Sequence, residues 1–529
     1  MPTANDRSSA PVELARDRNE FEYIIVGAGA SGCVIANRLS VEKDVSVLLL
    51  EAGGPGPGPE MDQAQMMGSE FDWKYQTEPE PQLANRRIAW PRGKALGGSS
   101  TISSMFYHRG NRLDYDHWNY LGNEGWSYLD LLPYFKKSES NAQFHDGFHG
   151  SDGPLRVELI TDNSALKHAF RAASENCGFK GDPNWDFNGA EQEGGVGVYQ
   201  KTSRNGKPES VADAFLTPVL SRPNLVPRTF CHATKLLWER DRAVGVEYRS
   251  IDGSLHTARA CREVVVSAGV VDSPHLLMLS GIGPAEHLRA HGIGVKLDLA
   301  GVGLNLQDHL NPSLMFQPNS NAEPVNDRVG TSGLFLKTRQ GLQSAAPDLK
   351  IDTVEVVVPQ VVPVSVAAFG LKPGPLYFCT ICLARPQSVG SVSLASADPT
   401  AAPLIRANYL QCQRDLEVLV HGIELMRHLA HTTPLSGILD CELKPGSECR
   451  TKDQIMEFVR QNAETGFHPT GTCKMGHDVM AVVDDRLRVH GVQGLRVADA
   501  SIMPTVVNAN TIAPSVMIGE KAAELIKNG

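Results

Sequence analysis

"YIIVGAGASG" (residues 23–32) runs from an apolar stretch straight into three glycines, Gly27, Gly29 and Gly32. With "CVIANRLS" behind it, the stretch reads as strand, turn and helix. The spacing is G-x-G-x-x-G, and each glycine has a separate task. The first permits the tight turn, the second lets the backbone approach a pyrophosphate, and the third lets the helix pack close to the strand. The helix start, at Ala30 and Ser31, offers free N–H groups and a partial positive charge to phosphate. A second apolar strand, "VSVLLLEAGG", ends at Glu51 and Ala52, with Glu51 standing 19 residues after Gly32. A carboxylate there accepts from ribose hydroxyls. The expectation is an α/β protein whose first unit holds an adenine dinucleotide.

This stretch alone leaves NAD and FAD open. The far end of the chain favours FAD. "GLRVADASIMP" (494–504) reads as a strand ending in Ala498-Asp499, followed by Ala500. FAD folds return in this way to hold the ribityl chain, here through Asp499. The nucleotide domain is then discontinuous, built from both chain ends.

Composition sets the outer limits. The chain has 529 residues, 41% of them apolar, and a formal charge of −10. That length and apolar content support a large soluble core, and the acidic balance argues against nucleic acid as a partner. The first residues, "MPTANDRSSAPVELARDRNE", are polar, so residues 1–19 read as a flexible arm rather than a secretory signal. No apolar run reaches the roughly 18 residues a membrane span needs. The ten cysteines are scattered, which suits a reducing cytoplasm. Cys379 and Cys382 sit in the strand-like "YFCTICLARP" and read as buried thiols. "HDGFHG" (145–150) could offer two histidines to a metal, but reads as a loop, and no metal site is assigned.

Further along, helices are expected around 114–138, near 413–431 and at the C-terminus. A β-meander is expected from 224, and strands over 352–362, 376–385 and 389–396. Residues 54–92 form an excursion too long for an ordinary βα loop, which suggests function. "NAETGFHPTGTCKMG" (462–476) holds His468 in a glycine-bounded loop.

Six motifs, in order from about residue 20 to 527, make the chain resemble the glucose-methanol-choline (GMC) oxidoreductases. They are "IIVGAGASGCVIANRLS", "PRGKALGGSSTIS", "SAGVVDSPHLLMLSGIGP", "GVGLNLQDH", "HPTGTCKMG" and "VADASIMPTVVNANTIAPSVMIGEKAAELI". The resemblance implies a discontinuous Rossmann-like FAD domain (20–155, 200–312 and 477–529). It also implies a substrate domain with an antiparallel β-sheet and flanking helices (156–199 and 313–476). It implies oxidation of a primary alcohol, aliphatic or aromatic, to an aldehyde, with the hydride passing to flavin N5. Dioxygen, a quinone or another acceptor would reoxidise the flavin; acceptor and oligomeric state are left open.

Carried over, "RGKALGGSS" would lay Arg92, Gly97, Gly98, Ser99 and Ser100 along the cofactor, and "HATKL" would set Ala233 near the adenine. "NANTIAP" brings Asn510 and Thr511 to the flavin, with Asn510 as the second active-site residue. His468 would be the base that removes the hydroxyl proton, because neutral imidazole suits that task near neutral pH. Asn510 could instead only cap the helix that follows. Where some relatives attach FAD covalently this chain has Ile102, so non-covalent FAD is expected. Ser103 stands where Asn or His is usual, and Val270 where a small residue is usual. Local stretches also resemble the fatty acid photodecarboxylases, but Ala384 replaces that branch's cysteine and His468 is present. A light-driven decarboxylase and a non-redox lyase stand as the alternatives.

Overall fold

The computed structural model describes residues 18–57, 66–159, 164–320, 322, 331–339, 345–358 and 374–529. The expected arm up to residue 17 and the apolar stretch from residue 359 lie outside the described residues.

The strand Glu20–Val26 is the centre of the first sheet. Its last four residues are buried on both faces, as a parallel strand covered by helices requires. Val47–Leu50 and Leu255–Val266 flank it in parallel, and Leu225–Arg228 extends the sheet beyond Val47–Leu50. The long strand Leu255–Val266 shares its other edge between two partners. Its first half pairs with the antiparallel strand Arg242–Arg249, and its last three residues pair in parallel with Leu495–Val497. Residues from the far end of the chain therefore complete the sheet. The last helix, Ile512–Lys527, packs on the first, Ala30–Leu39. Its buried Glu520 receives Arg38 Nε at 2.9 Å and Lys137 Nζ at 3.1 Å.

The second sheet has seven strands in the order 439–444, 313–318, 374–383, 349–358, 332–336, 195–198 and 180–181. All its pairings are antiparallel except the last. The helix Gln413–Ala430 covers it and buries Leu416, Leu419, Ile423 and Met426. This is the fold class read from the motifs.

A separate four-stranded sheet draws on segments from both expected domains. Leu155–Leu159 pairs with Glu139–Asn141 on one side and Gln200–Arg204 on the other. The domain cut expected at 155/156 thus falls inside a strand, because ladder hydrogen bonds join the segments on either side of it. The expected helices appear at Arg112–Tyr120 and Tyr128–Ser138, and the meander turns at Arg240, with φ +47°. Among the described residues no helix is long and apolar enough to cross a membrane.

Candidate active site

The parallel strands that end at Val26, Leu50, Val266 and Val497 all point their carboxyl ends into one cleft, about 1220 Å³ when its solvent-open mouth is included. Open α/β sheets bind ligands at such an edge. Gly27, Gly29, Ala30, Ser31, Glu51, Ala52, Arg92, Gly98, Ser99, Ser100, Ala233, Asp499, Ala500 and Thr511 line it. Gly32 and Gly97 stand behind the wall. A Cβ on Gly32 would lie 1.9 Å from the Gly27 carbonyl oxygen. Gly97 N–H donates to the Ala28 carbonyl at 2.7 Å, which docks the second glycine loop on the first.

The lining fits a dinucleotide. A Cβ added to Gly29 would meet only one atom, the Ser267 carbonyl oxygen at 4.0 Å, so the backbone here faces open cleft. The helices Ala30–Leu39 and Ile512–Lys527 both start on the cleft with no side-chain cap, leaving their first N–H groups for an anion. Glu51 accepts from the Ala28 and Gly53 N–H groups at 2.9 and 2.8 Å. Burial pushes its pKa up to about 7, although those two N–H groups oppose the rise. Asp499, expected at the ribityl chain, lines the cleft and is held by neighbouring donors. Its carboxylate accepts from Gly269 N–H (2.9 Å), the Ser273 hydroxyl (2.6 Å) and Ser501 N–H (2.7 Å). It thereby anchors two helix starts at the cleft wall.

His468 and Asn510 lie beyond this cleft, side by side. Asn510 Nδ2 is 2.9 Å from His468 Nε2, and Lys350 Nζ is 3.4 Å from Asn510 Oδ1. An ammonium can only donate, so Asn510 turns its oxygen to Lys350 and its N–H to His468. His468 Nε2 is then an acceptor and carries the lone pair. Its Nδ1–H donates to His309 Nδ1 at 3.0 Å. Burial holds His468 well below the ordinary imidazole pKa, with His309, Lys350, Arg92 and His108 adding to the effect. Asn510 does not cap the last helix; Thr511 holds that position, and the Asn510 amide goes to His468.

The loop that carries His468 is pinned by Asp308. That buried carboxylate accepts from His468 N–H (2.8 Å), the Thr465 hydroxyl (2.5 Å) and the Tyr409 hydroxyl. Arg92 reaches across from the cleft to the Phe467 carbonyl at 3.0 Å. One guanidinium thus links the cofactor wall to the histidine loop.

Several neighbours had no role in the sequence reading: His108, Asp308, His309, Lys350 and Asp352. His309 is fully buried, and burial followed by the charge of Lys350 takes its pKa down to about 3. "QDH" carried a signal inside a quoted motif. Lys350 and Asp352 are two apart on one strand face, which period-two counting reveals. Ser103 serves its own turn, donating to the Ser100 carbonyl at 3.2 Å and accepting from Met105 N–H at 3.2 Å. Cys379 and Cys382 are buried thiols. His145 is exposed and His149 buried. His149 bridges Glu139 and Asp186 at 2.8 Å each; burial opposes protonation, but these acids carry its pKa up to about 9.

A dinucleotide cleft at the carboxyl edge of a doubly covered sheet, with a neutral histidine beside it, is the arrangement of a dinucleotide-dependent oxidoreductase. Comparison with known proteins narrows this further. The GMC oxidoreductase family models match residues 21–311 and 386–519. The chain is 39% identical over 537 residues to an oxygen-dependent choline dehydrogenase of Brucella ovis, covering 96% of this chain and 95% of that one. It is 41% identical over 535 residues to the Sinorhizobium fredii protein of the same name, with the same coverage. Pyridoxine 4-oxidase from Mesorbium loti has a matching structure, with a TM-score of 0.87 and 31% identity over 96% of this chain and 99% of that one. The chain belongs to the GMC oxidoreductase family. It is an FAD-dependent oxidoreductase that acts on alcohols.

Proposed function

We propose that the protein oxidises a primary alcohol, aliphatic or aromatic, to an aldehyde, with His468 as the base and Asn510 as the orienting donor. The observation that carries this is the hydrogen-bonded pair itself, in which the Nε2 lone pair of a neutral histidine is presented beside the cofactor cleft. An alkoxide releases hydride far more readily than an alcohol, so removal of the hydroxyl proton governs the chemistry. His468 Nε2 takes that proton, and the Asn510 N–H holds the same oxygen and offsets its developing charge. Arg92 and Asp308 keep the His468 loop in register with the cleft. Bound FAD supplies the acceptor for the hydride.

The first sheet, with both chain ends, forms the FAD body in this reading, and the second sheet forms the substrate body. Gly27–Gly32 and Arg92–Ser100 would hold the pyrophosphate, Glu51 the ribose, and Ala233 would stand near the adenine. Ten free cysteines fit a cytoplasmic site of action.

The test is anaerobic mixing of the holoenzyme with a panel of primary alcohols, followed by air. Flavin bleaching by at least one alcohol supports the reading, and the reoxidation rate shows whether dioxygen serves as acceptor. His468→Ala should keep its FAD but slow bleaching by roughly 10²-fold or more, the scale of general-base loss. Bleaching at the unmodified rate in that variant would overturn the base assignment. A lyase would turn over with its flavin oxidised throughout.

A further inference from the structure

Beside the catalytic pair lies a group of aromatic rings that the proposed reaction does not use. Tyr199, Phe187, Phe335 and Phe106 pack with centroids 5.0–6.3 Å apart, and His108 stands edge-on to Tyr199 at 4.0 Å. Such a box attracts cations through the negative faces of its rings, and quaternary ammonium ligands are its usual guests. Here a cation is already present. Lys350 Nζ sits 5.4 Å from the Tyr199 centroid and 5.7 Å from that of Phe335. It is buried, 2.9 Å from Asp352 and 3.4 Å from Asn510 Oδ1. Burial works against its charge, but Asp352 more than offsets this and raises the Lys350 pKa. The side chain is an ammonium at every working pH.

We propose that Lys350 fills this box with the chain's own ammonium, so that the site takes an alcohol without a fixed cation and rejects quaternary-ammonium alcohols such as choline. The inference rests on the active-site reading above. The carboxylates at the site do not rescue a cationic substrate. Asp352 is held by Lys350 and by the Tyr199 hydroxyl. Asp308 is spent on Tyr409, Thr465 and the His468 backbone. Asp352 balances part of this charge, but it is the ammonium end of the pair that reaches Asn510, at 3.4 Å, so a trimethylammonium group whose hydroxyl reached His468 and Asn510 would meet the positive end of a buried ion pair in a medium that screens poorly.

Choline and 3,3-dimethylbutan-1-ol share one shape and differ in a single charge, so comparing them isolates the effect. Each is titrated anaerobically into the holoenzyme, reading both the perturbation of the oxidised flavin spectrum and the rate of bleaching. The carbon compound should bind at least about tenfold more tightly than choline, the minimum expected of a like charge at this range. Lys350→Met should narrow or reverse that ratio, and Lys350→Arg should preserve it. If Lys350→Met does not fold, the double variant Lys350→Met/Asp352→Asn removes both charges and should also narrow the ratio. Choline binding as well as its isostere in the unmodified enzyme overturns the inference. So does an unchanged ratio in the uncharged variants, or no binding by either compound. If the binding preference holds but no alcohol bleaches the flavin, the proposed oxidation falls and this inference stands.

Discussion

Five surroundings act on the imidazole of His468 in one direction. Burial, His309, Lys350, Arg92 and His108 all disfavour its protonated form. The proposed base is thus weaker than free histidine but remains unprotonated throughout the neutral range. Protonation would remove the lone pair that Asn510 orients, so activity is lost only as pH falls through the depressed native value. The rate of flavin bleaching should show no limb from His468 between about pH 6.5 and pH 8, and the limb that His468→Ala abolishes should lie below the ordinary imidazole value of about 6.5. A limb at or above that value, measured by stopped flow across pH, would contradict the charge environment described. The same depression bears on folding. Below about pH 6.5 the unfolded chain binds a proton at this position that the native chain does not, so acidification disfavours the native state here.

At the level of elements, the cofactor wall depends on two glycine loops that touch. Gly27 adopts φ +98°, and Gly32 packs so closely under it that a methyl group would overlap the Gly27 carbonyl. The clash is with backbone, so no side chain can move aside to relieve it. Gly32→Ala should therefore displace the turn and lower FAD content, measured as the ratio of flavin to protein absorbance. Far-ultraviolet circular dichroism should stay close to that of the unmodified protein, because the sheet does not depend on the turn's exact path. Full FAD content in this variant would mean that the turn tolerates the shift.

For the whole molecule, the cleft joins residues that are more than 400 positions apart, from Gly27 to Ser515. A ligand that binds the native chain at segments so distant stabilises it by mass action, by about 4 kcal/mol at a thousandfold excess over its Kd. Removing FAD should lower the thermal midpoint, and adding it back should restore it. Equal midpoints for the two forms, by differential scanning calorimetry, would show that the cleft closes without its cofactor.

The sequence by itself determined the α/β class, the dinucleotide turn and the return of the chain's end to the first sheet, while the pairing of His468 with Asn510 was only what the family resemblance implied. These follow from local patterns: apolar runs, glycine spacing, and motifs whose order survives along the chain. Only the tertiary structure decided the rest. It alone brought Lys350, Asp352 and His108 to the His468–Asn510 pair from other segments, and it set Asp308 beneath the His468 loop. It set the Asp499 carboxylate against two helix starts, placed Thr511 rather than Asn510 at the N-cap position of the last helix, and ran a strand through the expected domain boundary. The physical reason is that charge, tautomer and specificity depend on distances of a few ångströms between side chains that are far apart in the chain. Lys350 reads in the sequence as one more lysine near a strand. Burial among aromatic rings, 3.4 Å from Asn510, makes it the charge that a substrate must meet.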